Sequence, residues 1–339
     1  MIHASHRLDQ STLTRGAKGC ILVSLVTVAC SGDLEAGWDE PRGLLPVDSR
    51  NPIVLCNDGL NDNWAGEYAA LFAGTGGLSL AGIVVSTGPN ESTNLDDNLA
   101  SWRKMVAAAR QSGLNGIPDP VASTNSALVR PADGDIDSTT PNRSEGAIFM
   151  IEAARRLAQP FRPLVLVTGG KLTDVADAYL MDHTLPERVV VVSALGTTTT
   201  DGGKMGIPNG ELDKWADVIV AQKFRYVQVS SYYDQKGDVT DELVAQMPSS
   251  AFTAWIQAKQ DKVYDNSYAA DQVSLFAVAL PDVVSTVARV VQRKMDSEDV
   301  PSLTSDADGP IWLLTELNSS LARAHVQERL LDPTTFDGQ

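Results

Sequence analysis

At 339 residues, with 43% hydrophobic and 21% charged residues, the chain has the length of one large domain or two small ones. That composition is ordinary for a globular protein and excludes extensive disorder away from the ends. A formal net charge of −16 repels nucleic acid and anionic membranes and serves a phosphorylated substrate poorly; a neutral sugar, a nucleoside or a cation fits better.

Residues 1–29 read as a targeting segment. Arg15 and Lys18 precede the apolar stretch from Cys20 to Ala29, which is too short to span a bilayer. Ala29, followed by Cys30 and a polar Ser-Gly-Asp, resembles a bacterial lipoprotein signal, although Thr27 stands where leucine is usual. Cys30 then becomes the lipidated first residue of an exported chain anchored to the cell envelope. The alternative is a plain export signal with Cys30 incidental. Cleavage removes Cys20 and leaves Cys56 without a partner, so no disulfide framework is expected. Residues 30–50 are polar and read as a tether.

A strand–helix alternation begins at residue 52 and fills a domain over 51–295. Pro52 to Cys56 is strand-like, and Trp64, Tyr68, Leu71 and Phe72 share one face of the helix that follows. Residues 80–87 form a second apolar strand, and Asn98 to Ala109 a helix. Glu145 to Leu157 is helical, 163–170 is a buried strand, and Leu172 to Tyr179 is a helix. Residues 188–196 form another buried strand and Asp213 to Gln222 a helix; Tyr226 to Ser230 is a strand and Ala270 to Leu280 a core helix. Residues 296–339 read as a polar loop to Gly309 and an amphipathic helix from Trp312 to Leu331, packing on the same domain. Continuous apolar strands alternating with helices predict an α/β fold with a mainly parallel central sheet covered on both faces.

In such sheets ligands sit outside the carboxyl ends of the strands. The residues there are Asn57, Asp58, Asn61 and Asp62; then Thr87 and Asn90; then Thr168 with its glycines; then Asn209, Glu211 and Asp213; and late in the chain Asp271. All are oxygen donors suited to a hard cation or to sugar hydroxyls. Each also has a plainer reading: Asn61, Asp62 and Asn63 as helix caps, Glu211 and Asp213 as first-turn carboxylates, Asp271 as an N-terminal helix residue. Cys56 reads as a small core residue. His183 and His325 are the only histidines beyond the export segment and neither lies near these positions, which argues against a zinc centre or a Ser-His-Asp triad. Gly74-Thr75-Gly76-Gly77 follows a helix, the wrong context for a phosphate loop.

From Pro52 to Asp282 these motifs resemble the inosine/uridine-preferring nucleoside hydrolase family. The family's Asp-rich first turn is similar to Leu55-Cys56-Asn57-Asp58-Gly59-Leu60-Asn61-Asp62, and a later segment to Ser86-Thr87-Gly88-Pro89-Asn90. The specific match is Thr168-Gly169-Gly170-Lys171-Leu172-Thr173-Asp174-Val175-Ala176; Glu211-Leu212-Asp213 and Ala270-Asp271-Gln272-Val273-Ser274 follow in order. The resemblance implies hydrolysis of the N-glycosidic bond of ribonucleosides or a related glycoside, with one calcium ion. Its ligands would be Asn57, Asp62 and Asp271, with the carbonyl of Thr168; Asn90, Asn209, Glu211 and Asp213 would bind substrate. Asn61 stands where the family has its base, and an amide accepts no proton at neutral pH. Asp58 is a conceivable substitute, and Ala270 replaces a histidine that handles the leaving group. The alternative is a ribose- or nucleoside-binding lipoprotein with a degenerate site. Family members commonly self-associate, and selectivity would come from loops at 131–144 and 197–210.

Overall fold

The alternation of apolar runs and helical segments winds into one sheet. The computed structural model describes residues 41–60, 63–87, 95–123, 126–194, 209–231, 233–264, 271–292 and 303–336. Its first half comprises β1 (Pro52–Asn57), α1 (Ala65–Gly74), β2 (Ser79–Val85), α2 (Leu95–Gln111), β3 (Pro120–Ala122), α3 (Glu145–Leu157), β4 (Leu164–Thr168) and α4 (Thr173–Met181). There follow β5 (Val189–Ala194), α5 (Lys214–Lys223), β6 (Arg225–Val229), α6 (Asp241–Val244), α7 (Ala251–Tyr264) and α8 (Gln272–Ala279). The last elements are β7 (Val284–Gln292), β8 (Leu303–Ser305), β9 (Ile311–Leu317) and α9 (Ser319–Leu331). Among the described residues the sheet has nine strands in the order β3-β2-β1-β4-β5-β6-β9-β7-β8. It is parallel from β3 through β9; β7 runs antiparallel to β9, and β8 antiparallel to β7.

Every residue of β1, β4 and β5 is buried, because both faces of the sheet are covered. Alternate side chains feed two cores. Ile53, Leu55, Val165, Val167, Val190 and Val192 meet α1, α2, α7, α8 and α9; Val54, Cys56, Leu164, Leu166, Val189 and Val191 meet α3, α4 and α5. The Tyr68 ring stacks on Phe276 with centroids 5.7 Å apart, which locks α1 to α8. Cys56 lies inside the second core, where burial pushes its thiol well above its ordinary range. The Gly74–Gly77 segment ends α1: Gly77 N–H donates to the Phe72 carbonyl at 2.8 Å, and Gly76 takes the left-handed φ of +74°.

The C-terminal region departs from the sequence reading. The single helix expected from Trp312 to Leu331 is divided: residues 311–317 form β9, between β6 and β7, and the helix starts only at Ser319. Asn318 makes the division, its Oδ1 accepting from Leu321 N–H at 3.1 Å as the N-cap. The unassigned stretch 284–292 supplies the antiparallel partner that draws Ile311–Leu317 into the sheet. Part of the expected polar loop is also a strand, β8, while 293–302 lie outside the described residues.

Beneath α8, Asp238 is buried among Tyr68 Oη at 3.0 Å, Tyr233 Oη at 2.6 Å and Arg323 Nε at 3.3 Å. Burial outweighs these hydrogen bonds and the arginine, and its carboxyl is pushed up to about 6 from 3.8. The native state therefore holds this proton more tightly than the unfolded chain does, so the stabilisation is full below the unfolded value and is lost as pH rises through about 6. Asp238→Asn is expected to remove that slope. Thermal midpoints measured between about pH 4 and pH 7 should fall more steeply for the parent than for the variant.

Candidate functional site

At the carboxyl edge of the sheet, β1 ends on Asn57, its neighbour β4 on Thr168, and β5 beyond it on Ala194. Helix α8 packs against β4, β5 and β6 and carries Asp271 at its N-terminus. These segments converge on Gly169: a Cβ there would lie 2.4 Å from Asp271 Cβ and 2.5 Å from Asn57 Nδ2. Only glycine lets the three approach so closely.

The Asp271 carboxylate does not cap its own helix. Its Oδ2 accepts from Asn63 Nδ2 at 3.1 Å and its Oδ1 from Asn209 Nδ2 at 3.2 Å. Backbone groups set the amide orientations: Asn63 Oδ1 accepts from Ala65 N–H at 2.9 Å, Asn57 Oδ1 from Asp58 N–H at 2.7 Å, and Asn209 Nδ2 also donates to the Ala194 carbonyl at 2.9 Å. Asn57 therefore presents its nitrogen, not its oxygen, to this space. Asn57 Nδ2 and Thr168 Oγ1, in residues each only 1% exposed, have no hydrogen-bond partner among the described residues. Buried polar atoms left in this state are uncommon and mark room for a ligand or water.

A buried ion pair holds the Asn63 turn. Lys259 Nζ donates to the Asn63 carbonyl, lies 2.8 Å from Glu67 Oε2, and sits 4.8 Å from the Trp64 ring centroid. Trp255 Nε1 donates to the other Glu67 oxygen at 2.8 Å. The sequence reading missed both the Asn63 contact with Asp271 and Lys259. In sequence Asn63 reads only as a helix cap; in the structure Trp64 holds the N-cap position and the Asn63 side chain joins the Ala65 N–H to Asp271; Lys259 lies on a helix that the sequence pattern does not announce.

Asn57, Thr168, Asn209 and Asp271 are thus brought to one edge. Asp58 sits beside them, against Gly170, with Oδ1 accepting from Gly59 N–H at 2.7 Å. Asp213 is occupied elsewhere: it accepts from Leu128 N–H at 2.9 Å, Thr173 Oγ1 at 2.7 Å and Ala216 N–H at 3.0 Å, capping α5 and clasping the 126–130 segment. Burial raises its carboxyl above the usual range, against the pull of those donors. Cys30, Asn61, Asp62, Asn90 and the Glu211 side chain lie outside the described residues.

Calcium takes about six to eight oxygen ligands. Among the described residues no three His, Cys, Asp or Glu side chains are grouped to hold a metal. The Asp271 oxygens already face amide donors, and Asn57 turns a donor inward. The described residues alone, without Asp62, do not make up a calcium centre. They suit hydroxyl groups, which donate to a carboxylate and accept from an amide.

At the level of sequence, neither a protein-family model nor a curated protein matches the chain. In structure it is similar to the inosine-uridine preferring nucleoside hydrolase of Bacillus anthracis, with a TM-score of 0.56 and 15% identity over 83% of this chain and 99% of that one. An inosine-guanosine nucleoside hydrolase gives 0.59 at 16% identity, covering 82% and 98%. The purine-preferring ribonucleoside hydrolase of Gardnerella vaginalis gives 0.56 at 13%, covering 83% and 99%. The chain has the nucleoside hydrolase fold.

Two adjacent glycines test the convergence. Gly169→Ala is expected to destabilise the fold by about 1–3 kcal/mol, since Asp271 and Asn57 must be forced apart. In Gly170→Ala the new Cβ would meet Asp58 atoms no closer than 3.6 Å and should be tolerated. Denaturant unfolding of the two variants reads the difference.

Proposed function

We propose that the chain is a nucleoside hydrolase-like protein whose carboxyl-edge site receives the sugar of a ribonucleoside or related glycoside. One observation carries this reading: the Asp271 carboxylate is held between Asn63 and Asn209 while the buried Asn57 Nδ2 beside it has no partner among the described residues. Each sugar hydroxyl needs both an acceptor and a donor, and this edge offers them a few ångströms apart without requiring charge on the ligand. An uncharged polyol also suits a chain of net charge −16.

Hydrolysis of the N-glycosidic bond is the second reading, favoured by the fold. That reaction needs a group to take a proton from the attacking water. The family's base position holds Asn61, which cannot do so, and Asp58 turns its Oδ1 to Gly59 N–H. Binding with little turnover is therefore the better-supported conclusion. A calcium ion held by Asp62, Asp271, Asn57 and Thr168 belongs to the hydrolytic reading; anchorage through Cys30 is compatible with either.

Titration calorimetry with ribose, inosine and uridine, in chelator and then in calcium, separates the readings. The expected result is nucleoside binding that persists in chelator and weakens about 10- to 100-fold in Asp271→Asn, as for a lost hydrogen bond to a charged group. Reducing-sugar release should stay near background and rise in Asn61→Asp. Release that increases with calcium and vanishes in Asp62→Ala would shift the conclusion to hydrolysis. Absence of heat with all three probes would sink the sugar site.

A further inference from the structure

The peptide unit that joins Asn63 to Trp64 is gripped at both ends. Its carbonyl accepts from Lys259 Nζ, and its N–H donates to Gln272 Oε1 at 3.4 Å. A trans peptide is planar and sets its C=O and N–H in opposite directions, so a hold on both fixes the plane. Gln272 is held in turn, its Nε2 donating to Gln235 Oε1 at 2.8 Å. With the plane fixed, the Asn63 side chain faces the Asp271 carboxylate, to which its Nδ2 donates at 3.1 Å.

The grip on the carbonyl comes from a buried charge. The Lys259 and Glu67 side chains are 6% and 0% exposed, and replacing such a pair by apolar groups of similar volume is often neutral or stabilising. An apolar pair could fasten α7 to α1 as firmly, but it could not donate to a carbonyl. The ammonium is kept in place by Glu67 Oε2 at 2.8 Å and by the Trp64 ring, whose centroid is 4.8 Å away. Glu67 is itself aimed by Trp255 Nε1, which donates to Oε1 at 2.8 Å. The contact therefore runs in two steps: Lys259 holds the backbone of Asn63, and the Asn63 side chain meets the carboxylate.

We propose that Lys259 is a positioning residue of the carboxyl-edge site: by holding the Asn63 carbonyl, its ammonium sets the Asn63 donor against Asp271 and keeps that carboxylate aimed at a sugar hydroxyl. Lys259 acts through the turn and not on the ligand. Its effect on ligand affinity rests on the reading of this edge as a sugar site; its placement of the Asn63 amide does not.

The test sets two variants against each other. Glu67→Gln breaks the ion pair but leaves Lys259 Nζ on the Asn63 carbonyl; its thermal midpoint should fall while its affinity for inosine, read by titration calorimetry, stays close to the parent's. Lys259→Met with Glu67→Gln is a neutral pair of similar volume. Its midpoint should recover toward the parent's while inosine binding weakens about tenfold, as for one lost hydrogen bond to a charged group. Should that pair not fold, Lys259→Leu with Glu67→Met, apolar on both sides, replaces it. In the ligand-free protein, the Asn63 side-chain amide signal of a nitrogen–proton correlation spectrum is identified by its loss in Asn63→Ser. It should move in the double variant and hold its place in Glu67→Gln. Stability and affinity changing in opposite order is a result that a mere fastening of α7 to α1 would not give. A double variant that keeps parental affinity, or that leaves the amide signal unmoved, overturns the proposal. So does Glu67→Gln weakening inosine binding as much as the double variant does. A parent that gives no heat with inosine sinks the sugar site alone, and the amide signal then decides the role of Lys259.

Discussion

A single carboxylate closes the carboxyl edge of the sheet. Asp271 reaches Asn63 across 208 positions of sequence and Asn209 across 62, and both amides donate to it. A buried or half-buried charge without donors is expensive, so the three segments are coupled: displacing any one leaves the others badly solvated. The coupling extends outward. Asn209 is tied to the end of β5 through the Ala194 carbonyl, and the Asn63 turn is tied to α7 through Lys259, whose charge is met by Glu67. Loop ends that would otherwise move separately are drawn into one connected polar network above a hydrophobic sheet.

The fold is kept at 13–16% identity because its demands are generic. Valine, isoleucine and leucine in alternating registers satisfy both cores, and many sequences meet that condition. The site's demands are atomic. An asparagine has nearly the shape of an aspartate, but it exchanges an acceptor for two N–H donors. At Asn57 the backbone N–H of Asp58 claims the remaining oxygen, so the edge turns a donor toward a place where the resemblance expects negative charge. Likeness of fold therefore says little about the reaction here.

What the sequence reveals follows the same division. β1, β4 and β5 are legible because strands covered on both faces are continuous apolar runs. α3 matches its expected bounds, Glu145–Leu157, because Ser144 caps one end and an amphipathic pattern fills the rest. β9 reads as helix in the sequence because the partners that make Ile311–Leu317 a strand, β6 and β7, lie elsewhere in the chain, and strand formation is decided by partners. The site is legible in position but only partly in role. The strand ends announce Asn57, Thr168 and Asp271. The clasp at Asp213 depends on Leu128 and Thr173, which only the folded chain brings together, and Lys259 acts on a turn nearly two hundred residues earlier.

Because β1, β4, β5 and β6 all run the same way, the molecule has two unlike poles. They are separated by the length of a strand, about 20 Å, and carboxamides gather at one of them. A ligand that meets the carboxamide pole is therefore read by strand ends that all point the same way, so that one edge concentrates what four separate segments supply.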